Sequence, residues 1–386
     1  MSGSEFSSHQ AMRITTISRV IKALQTGAAS KSEILKNTQL SWGSCSSIIN
    51  MLYERGILIK EKDGEASGRG RKTFTYSFNS EEYLLFGMEI RANDILCSII
   101  NFGKQEIYRQ IYPTREAVKM NNLFEYVSNA FINALLESSV KPEHILGISF
   151  AVAGGVDVKN LKWVYTPRIR DINNFDFREL TRILPEINYL HVEHDIHAQA
   201  ASVIYSRSWD DDNYVFLHIG RGISMSIYNN GLFLGYRGFS GEIGHIPVPA
   251  CEADEEKNVE SAISVKSILD FINKHFSLKL TNLSDLTPEI INNEKVITHI
   301  TKALEYVLIV ITNIIDPKTI IVGGPSLEPF YDIIRNKIEE TIRYKTWIGG
   351  PENIKWYYND DMFGAYGTIL NASEKMINSY IEDHLI

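Results

Sequence analysis

Two hydrophobic periodicities divide this chain. Near the start, Ile14, Ile17, Val20, Ile21 and Leu24 recur at helical spacing, and Gly27 fits a helix stop. "SKSEILKN" reads as a second, short helix. Ser41 is placed to N-cap a third, "WGSCSSIINMLYER", which Gly56 closes. In that helix Cys45, Ile48, Ile49 and Leu52 form one apolar face, while Ser44, Ser46, Ser47 and Asn50 lie largely off it. "ILIKEK" and "TFTYSFN" then read as strands on either side of a Gly-rich basic tip, "DGEASGRGRK". Three helices followed by a basic hairpin predict a winged helix-turn-helix over residues 12–80. The third helix would enter a DNA major groove, with Ser44, Ser46, Ser47 and Asn50 approaching base edges or phosphates. Arg69, Arg71 and Lys72 on the wing would reach phosphates or a minor groove. "GRGRKT" is no nucleotide phosphate loop, because it lacks Gly before the Lys and no helix follows a hairpin tip.

From Tyr83 the pattern shortens to strands. "YLLFGMEI", "DILCSIINF" and "EIYRQIYP" read as three strands joined by short turns, followed by the amphipathic helix "NNLFEYVSNAFINALLES". "ILGISFAVAG" and "YLHVEHD" are further strands, and "IHAQAASVIYS" is a helix. A second strand triplet is expected at "NYVFLHIG", "GISMSIYNN" and "GLFLGY". The remainder is mostly helical, with "ITKALEYVLIVITNIID" leading into the apolar strand "TIIVGG". Strand triplets followed by helices, occurring twice, predict an α/β body of two related lobes with a ligand cleft between them.

Charge sharpens this division. Residues 1–80 carry 11 Lys+Arg against 6 Asp+Glu, a net of +5; the remainder carries 28 against 41, a net of -13. A basic head on an acidic body implies that only the head meets a polyanion. Hydrophobic content of 44% and charged content of 22% over 386 residues are ordinary for a soluble chain of two or three domains. No uninterrupted apolar run reaches the ~18 residues of a membrane span, and the polar N-terminus lacks a secretion signal. The scattered Cys45, Cys97 and Cys251 offer no disulfide framework, which suits the cytoplasm.

The motifs "GISFAVAGGVD", "VEHDIHAQAA", "GEIGHIPV", "VESAIS" and "IIVGGP" stand in the order found in the ROK family (repressors, open reading frames and kinases). The chain resembles that family from about Ile14 to about Ala372. The resemblance implies an α/β fold, an N-terminal winged helix-turn-helix followed by a two-lobed hexokinase/actin-like body. Its first lobe would span residues 81–199 and its second 200–386, the last helix returning to the first lobe. It also implies sugar-contacting residues: Gly154 and Gly155 shaping one side, then His194 and Asp195 in "EHDI", Glu242 and His245 in "GEIGH", and Glu260 in "VES". Carboxylates and imidazole suit sugar hydroxyls, since charged acceptors make the stronger hydrogen bonds. In family kinases the aspartate matched by Asp195 is the catalytic base, and an asparagine usually stands where this chain has His194. Arg168 likewise stands where relatives often carry Asn.

Other family features are missing. The D-x-G-G-T phosphate loop is replaced by "EIRAND", Glu89 to Asp94, and the second phosphate loop reads "GRG", with Arg221 for a threonine. Only "VGGP", with Gly323 and Gly324, looks intact on the adenosine side. The family's zinc cluster is reduced to Cys251 in "CEADEEKN", short of the four ligands a structural site needs. These departures predict a cytoplasmic regulator, not an enzyme, that needs neither cofactor nor metal, with Asp195 as a vestigial base. Its partners would be double-stranded operator DNA and a sugar or sugar-derivative effector. It would act as a homodimer or a dimer of dimers, without membrane association, in the repressor role that the resemblance implies; two rivals remain. One is an active sugar kinase with an accessory head; the other is a regulator whose body binds a protein instead of a sugar.

Overall fold

The computed structural model describes residues 8–62, 74–166, 169, 171–182, 187, 189–209, 212–248, 258–347 and 349–385. By internal contacts the chain divides into two compact units. The first comprises Met1–Ala201 with Gly364–Ile386, and the second comprises Ser202–Phe363.

The first unit begins with three helices and a small sheet: α1 (Ser8–Leu24), β1 (Ala29–Ser30), α2 (Lys31–Thr38), α3 (Trp42–Glu54), β2 (Leu58–Lys62) and β3 (Phe74–Phe78), with antiparallel strand order β1-β3-β2. Ile17, Val20, Leu24, Ile34, Ile49 and Leu52 are fully buried between the helices. Local chemistry fixes the helix starts. Ser30 and Glu33 form a reciprocal capping box on α2, and the Ser41 hydroxyl accepts from the Ser44 amide at the start of α3. The basic tip, with Arg69, Arg71 and Lys72, lies outside the described residues.

The body of this unit is a five-stranded sheet. β4 (Leu84–Ile90), β5 (Asp94–Asn101) and β6 (Glu106–Pro113) form an antiparallel meander. β7 (Ile145–Val152) and, beyond it, a later strand at Tyr189–His194 run parallel to β4. Every residue of β4 is buried, as a central strand covered on both faces requires. Helix α4 (Leu123–Ser138) covers one face, where the Phe86 and Phe131 rings pack 4.8 Å apart. The other face meets the last helix, Gly364–His384, so closely that a Cβ on Gly87 would lie 2.0 Å from the Ala365 carbonyl oxygen. A small antiparallel sheet of β8 (Gly155–Asp157), β9 (Lys162–Tyr165) and β10 (Asn173–Asp176) precedes the Tyr189–His194 strand, which is β11. Helix α5 (Asp195–Ser206) follows β11 without a connecting loop.

The second unit holds β12 (Asn213–Ile219) and β13 (Ile223–Asn229), an antiparallel pair, then α6 (Val259–Ile263), α7 (Val265–Phe276), α8 (Pro288–Ile291), α9 (Glu294–Ile315), β14 (Thr319–Gly323), α10 (Tyr331–Lys345) and β15 (Asn353–Tyr357). Strand order is β13-β12-β14-β15, with β14 and β15 parallel to β12. The expected third strand at "GLFLGY" does not form; Leu232 makes only an isolated bridge to Tyr228. The physical reason lies in the segment's own fastening. The Phe233 amide bonds back to the Ile227 carbonyl at 2.9 Å, and Gly235 adopts φ +70°, which turns the chain away from the sheet. Helix α9 is long and apolar enough by composition to cross a membrane, although charged residues interrupt its run. Val296, Ile300, Leu304, Val307 and Leu308 on it are fully buried in the core of this unit, so it serves as a core helix. The last helix, Gly364–His384, is α11 and belongs to the first unit.

Candidate functional site

In the first unit, strand alternation places Gly87, Glu89 and Arg91 toward α11. Glu89 is only 1% exposed and accepts four hydrogen bonds. Arg91 donates through Nε and Nη2 to its two oxygens, both at 2.9 Å. Gln199 Nε2 of α5 adds one at 2.9 Å and the Gly364 amide, at the start of α11, another at 3.0 Å. The segment where a phosphate loop was missing is thus closed by an internal ion pair. Arg91 is held above the ordinary guanidinium range; burial opposes this but is outweighed by Glu89, with smaller contributions from Asp94 and Asp195. These residues do not fit a magnesium–phosphate site, because the carboxylate that would face a metal already faces a guanidinium.

At the end of β11, His194 Nδ1 lies 2.9 Å from Asp195 Oδ1 and 3.2 Å from the Ile196 amide. One nitrogen cannot both donate to the carboxylate and accept from the amide. The amide N–H donates to Nδ1, so in this arrangement Nδ1 is the acceptor, and its closeness to Asp195 becomes an ion pair only on a protonated ring. Behind this pair Glu193 is 2% exposed, and Asn371 Nδ2 of α11 donates to its two oxygens at 3.2 and 3.0 Å and to the His197 carbonyl at 3.2 Å. Burial pushes Glu193 up to about 8, against hydrogen bonds from Thr368 and Asn371. Burial also lowers His191 to about 4 and His197 to about 3. Gly154 has φ +97°, and a Cβ there would meet the Tyr165 carbonyl oxygen at 2.3 Å, so packing alone demands glycine. Gly155 opens β8. Arg168 lies outside the described residues.

In the second unit Gly241 adopts φ +94° and its carbonyl accepts from the Met225 amide at 2.9 Å, which fixes the backbone just before Glu242. Glu242 Oε2 and His245 Nε2 are 3.7 Å apart on a single 3-10 turn, with side chains 44% and 67% exposed. Glu260, on α6, accepts from the Ile223 amide at 3.2 Å. Glu242 and His245 are therefore solvent-facing, whereas Glu260 braces β13. The glycines of "VGGP" have packing reasons: a Cβ on Gly323 would lie 2.5 Å from the Tyr357 carbonyl oxygen, and one on Gly324 2.6 Å from that of Ile219. The Gly324 amide donates to the buried Tyr331 hydroxyl at 3.1 Å. Among the described residues no group of three or more His, Cys, Asp or Glu is placed to hold a metal ion. Cys251 and its acidic run lie outside them.

On the head, Ser44, Ser47 and Asn50 are exposed and Ser46 is half-buried. Lys31 Nζ donates to Ser46 Oγ at 3.0 Å and to Asn50 Oδ1 at 2.6 Å, which gives α2 a place on this face. The C-terminal half of α11 binds the head. Ser18 Oγ is 2.7 Å from Asn378 Oδ1, and Arg55 Nη1 donates to the His384 carbonyl at 2.6 Å. Tyr380 packs against Tyr83 and Phe102, and the Tyr83 hydroxyl donates to the Arg55 carbonyl. One helix of 21 residues thus touches Glu89 and Glu193 with its first half and the head with its second.

Arg91, Gln199, Asn371 and Lys31 were not anticipated from sequence. Arg91 had a signal, two residues beyond Glu89 on the same strand face. Gln199 had a weaker one, four residues beyond Asp195 on one helix face.

A family model described as "ROK family" matches residues 85–370. The DNA-binding transcriptional dual regulator NagC of Escherichia coli (strain K12) is 24% identical over 382 residues, covering 94% of this chain and 93% of that protein. The xylose repressor of Bacillus subtilis (strain 168) is 26% identical over 259 residues, 64% of each chain. Among solved structures, a ROK family transcriptional regulator described as a homologue of the E. coli Mlc protein superposes with a TM-score of 0.75 at 18% identity, covering 95% of this chain and 98% of its own. The ROK hexokinase from Thermus thermophilus gives 0.60 at 18% identity, over 76% and 99%.

Proposed function

Because the chain belongs to the ROK family, we propose that it is a DNA-binding transcriptional regulator, a repressor in the manner of its named relatives, whose kinase-like body senses a sugar or sugar derivative. In this reading the three-helix head is a winged helix-turn-helix that docks α3 into the major groove of operator DNA. The candidate effector contacts are Asp195 and His194 within the first unit and, taken separately, Glu242, His245 and Glu260 within the second. The protein works in the cytoplasm as a homodimer or dimer of dimers, two heads meeting two half-sites. The observation that carries the proposal is α11, whose first half bonds Glu89 and Glu193 and whose second half bonds Ser18 and Arg55 of the head. Ligand binding that favours one position of α11 shifts the population of head positions and so changes operator affinity.

The test is a pair of titrations. A panel of free and phosphorylated sugars is screened by thermal shift, and each hit is titrated against wild-type protein and Glu242→Gln. Loss of the charged acceptor is expected to weaken the effector roughly tenfold to a hundredfold, since hydrogen bonds to charged groups contribute about 1.5–3 kcal/mol. DNA affinity without effector should stay unchanged. An unaltered effector affinity would remove Glu242 from the site, and an effector that never changes DNA affinity would remove the sensor.

Asp195 favours a second reading, a sugar kinase with an accessory head. Against it stands the Glu89–Arg91 pair in place of a phosphate loop. With magnesium-ATP and the same sugars the expected result is no turnover above background. Phosphorylation at ordinary kinase rates, abolished by Asp195→Asn, would establish the kinase instead.

A further inference from the structure

α3 begins with an apolar anomaly. Trp42 is its first residue and is 55% exposed, surrounded in sequence by exposed Ser41, Gly43 and Ser44. Its indole has neither a ring contact nor a hydrogen-bond partner among the described residues. A Cβ on Gly43 would have nothing within 4 Å, so this end of the helix is open. Trp42, Ser46 and Asn50 succeed one another at i, i+4 and i+8, forming one row along α3. In the middle and at the far end of that row, Lys31 occupies the Ser46 oxygen and the Asn50 carbonyl. What remains available there is donors: the ammonium and the Asn50 amide nitrogen. Trp42 is the apolar group of the row.

We propose that Trp42 reads sequence, its indole packing on a thymine methyl in the major groove of each operator half-site, while the Lys31–Ser46–Asn50 cluster meets an acceptor edge on the neighbouring bases. This rests on the DNA-binding reading above and specifies its ligand. Thymine carries the one methyl group of the major groove, and residues at the start of a recognition helix are those that reach base edges. A protein partner fits less well, because a lone indole among serines and a glycine is no contiguous apolar patch. The head's net charge of +5 favours a polyanion.

The test uses the full chain. Double-stranded sites are selected from a random DNA pool, and each thymine of the selected site is then replaced by deoxyuridine, which deletes only the methyl. Wild type should lose about fourfold in affinity at one position per half-site, the equivalent of one buried methyl group. Trp42→Ala should bind the selected site more weakly and show no methyl sensitivity there; Trp42→Phe should keep part of it. An unchanged deoxyuridine profile in Trp42→Ala overturns the proposal while leaving DNA binding intact. Failure to enrich any DNA overturns the regulator reading itself. If Trp42→Ala instead lowers the apparent mass in solution with its DNA profile unaltered, the indole is a contact between copies and the proposal falls. Circular dichroism of both variants should match wild type, since an exposed side chain carries little of the fold.

Discussion

Glu89→Ala is expected to lower the unfolding free energy by about 3 kcal/mol. The carboxylate it removes is 1% exposed and accepts from Arg91, Gln199 and the Gly364 amide. Alanine takes the Glu89 acceptor from two buried neutral donors, the Gln199 amide and the Gly364 N–H. Each such lost bond costs about 1–3 kcal/mol. The Arg91 side chain is 37% exposed and regains water, so little is added for it. Glutamine is not a conservative replacement here. Each Glu89 oxygen accepts two donors, and an amide NH2 would turn hydrogens toward two of them. Urea denaturation of wild type, Glu89→Ala and Glu89→Gln measures the difference. A midpoint for Glu89→Ala within error of wild type would show that the cluster is incidental. The same measurement bears on function, because a carboxylate that holds strand, α5 and α11 together is no longer available to a metal.

This cluster shows where the sequence was legible and where it stopped. The loss of D-x-G-G-T was visible in "EIRAND". What replaced it was not, because two of the partners arrive from far along the chain: Gln199 lies 110 residues away and Gly364 lies 275. Local patterning found α1, α2 and α3, since their capping and apolar spacing are written in neighbouring residues. It failed at "GLFLGY", where apolar alternation looked like a strand but Gly235 and the Phe233–Ile227 bond turned the backbone. Motif order supplied His194, Asp195, Glu242, His245 and Glu260 as candidates. It could not show that His194 Nδ1 stands beside Asp195 or that Glu260 also braces β13. Those facts depend on side-chain placement, which no one-dimensional pattern carries.

Stability should peak near pH 6.5 and fall by about 1 kcal/mol between pH 6.5 and 8. Three buried groups beside α11 set this shape. Glu193 stands at about 8 in the folded chain, against about 4.3 when unfolded, so the folded state holds a proton that the unfolded state has released. That proton's contribution is fully present below pH 4.3 and is lost as pH rises toward 8. His191 at about 4 and His197 at about 3 act in the opposite sense. Both are neutral when folded while the unfolded imidazoles charge below about 6.5, so stability rises with pH up to that value. Between about pH 4.3 and 6.5 two rising contributions oppose one falling one, and the net slope is upward. Above 6.5 the unfolded histidines finish losing their protons, their rising contribution fades, and Glu193 dominates. The surrounding groups are Thr368, Asn371 and Lys375 of α11, with His194 and Asp195 beside His197. Lys375 favours the ionised Glu193 and the neutral His191 alike, without overcoming burial of the carboxyl. Glu193→Gln imitates the protonated acid and keeps a partner for Asn371, so its melting temperature should hold or rise slightly from pH 6.5 to 8 where wild type declines. Parallel wild-type and variant curves across that window would mean that Glu193 is ionised in the folded protein and that some other group sets the alkaline limb.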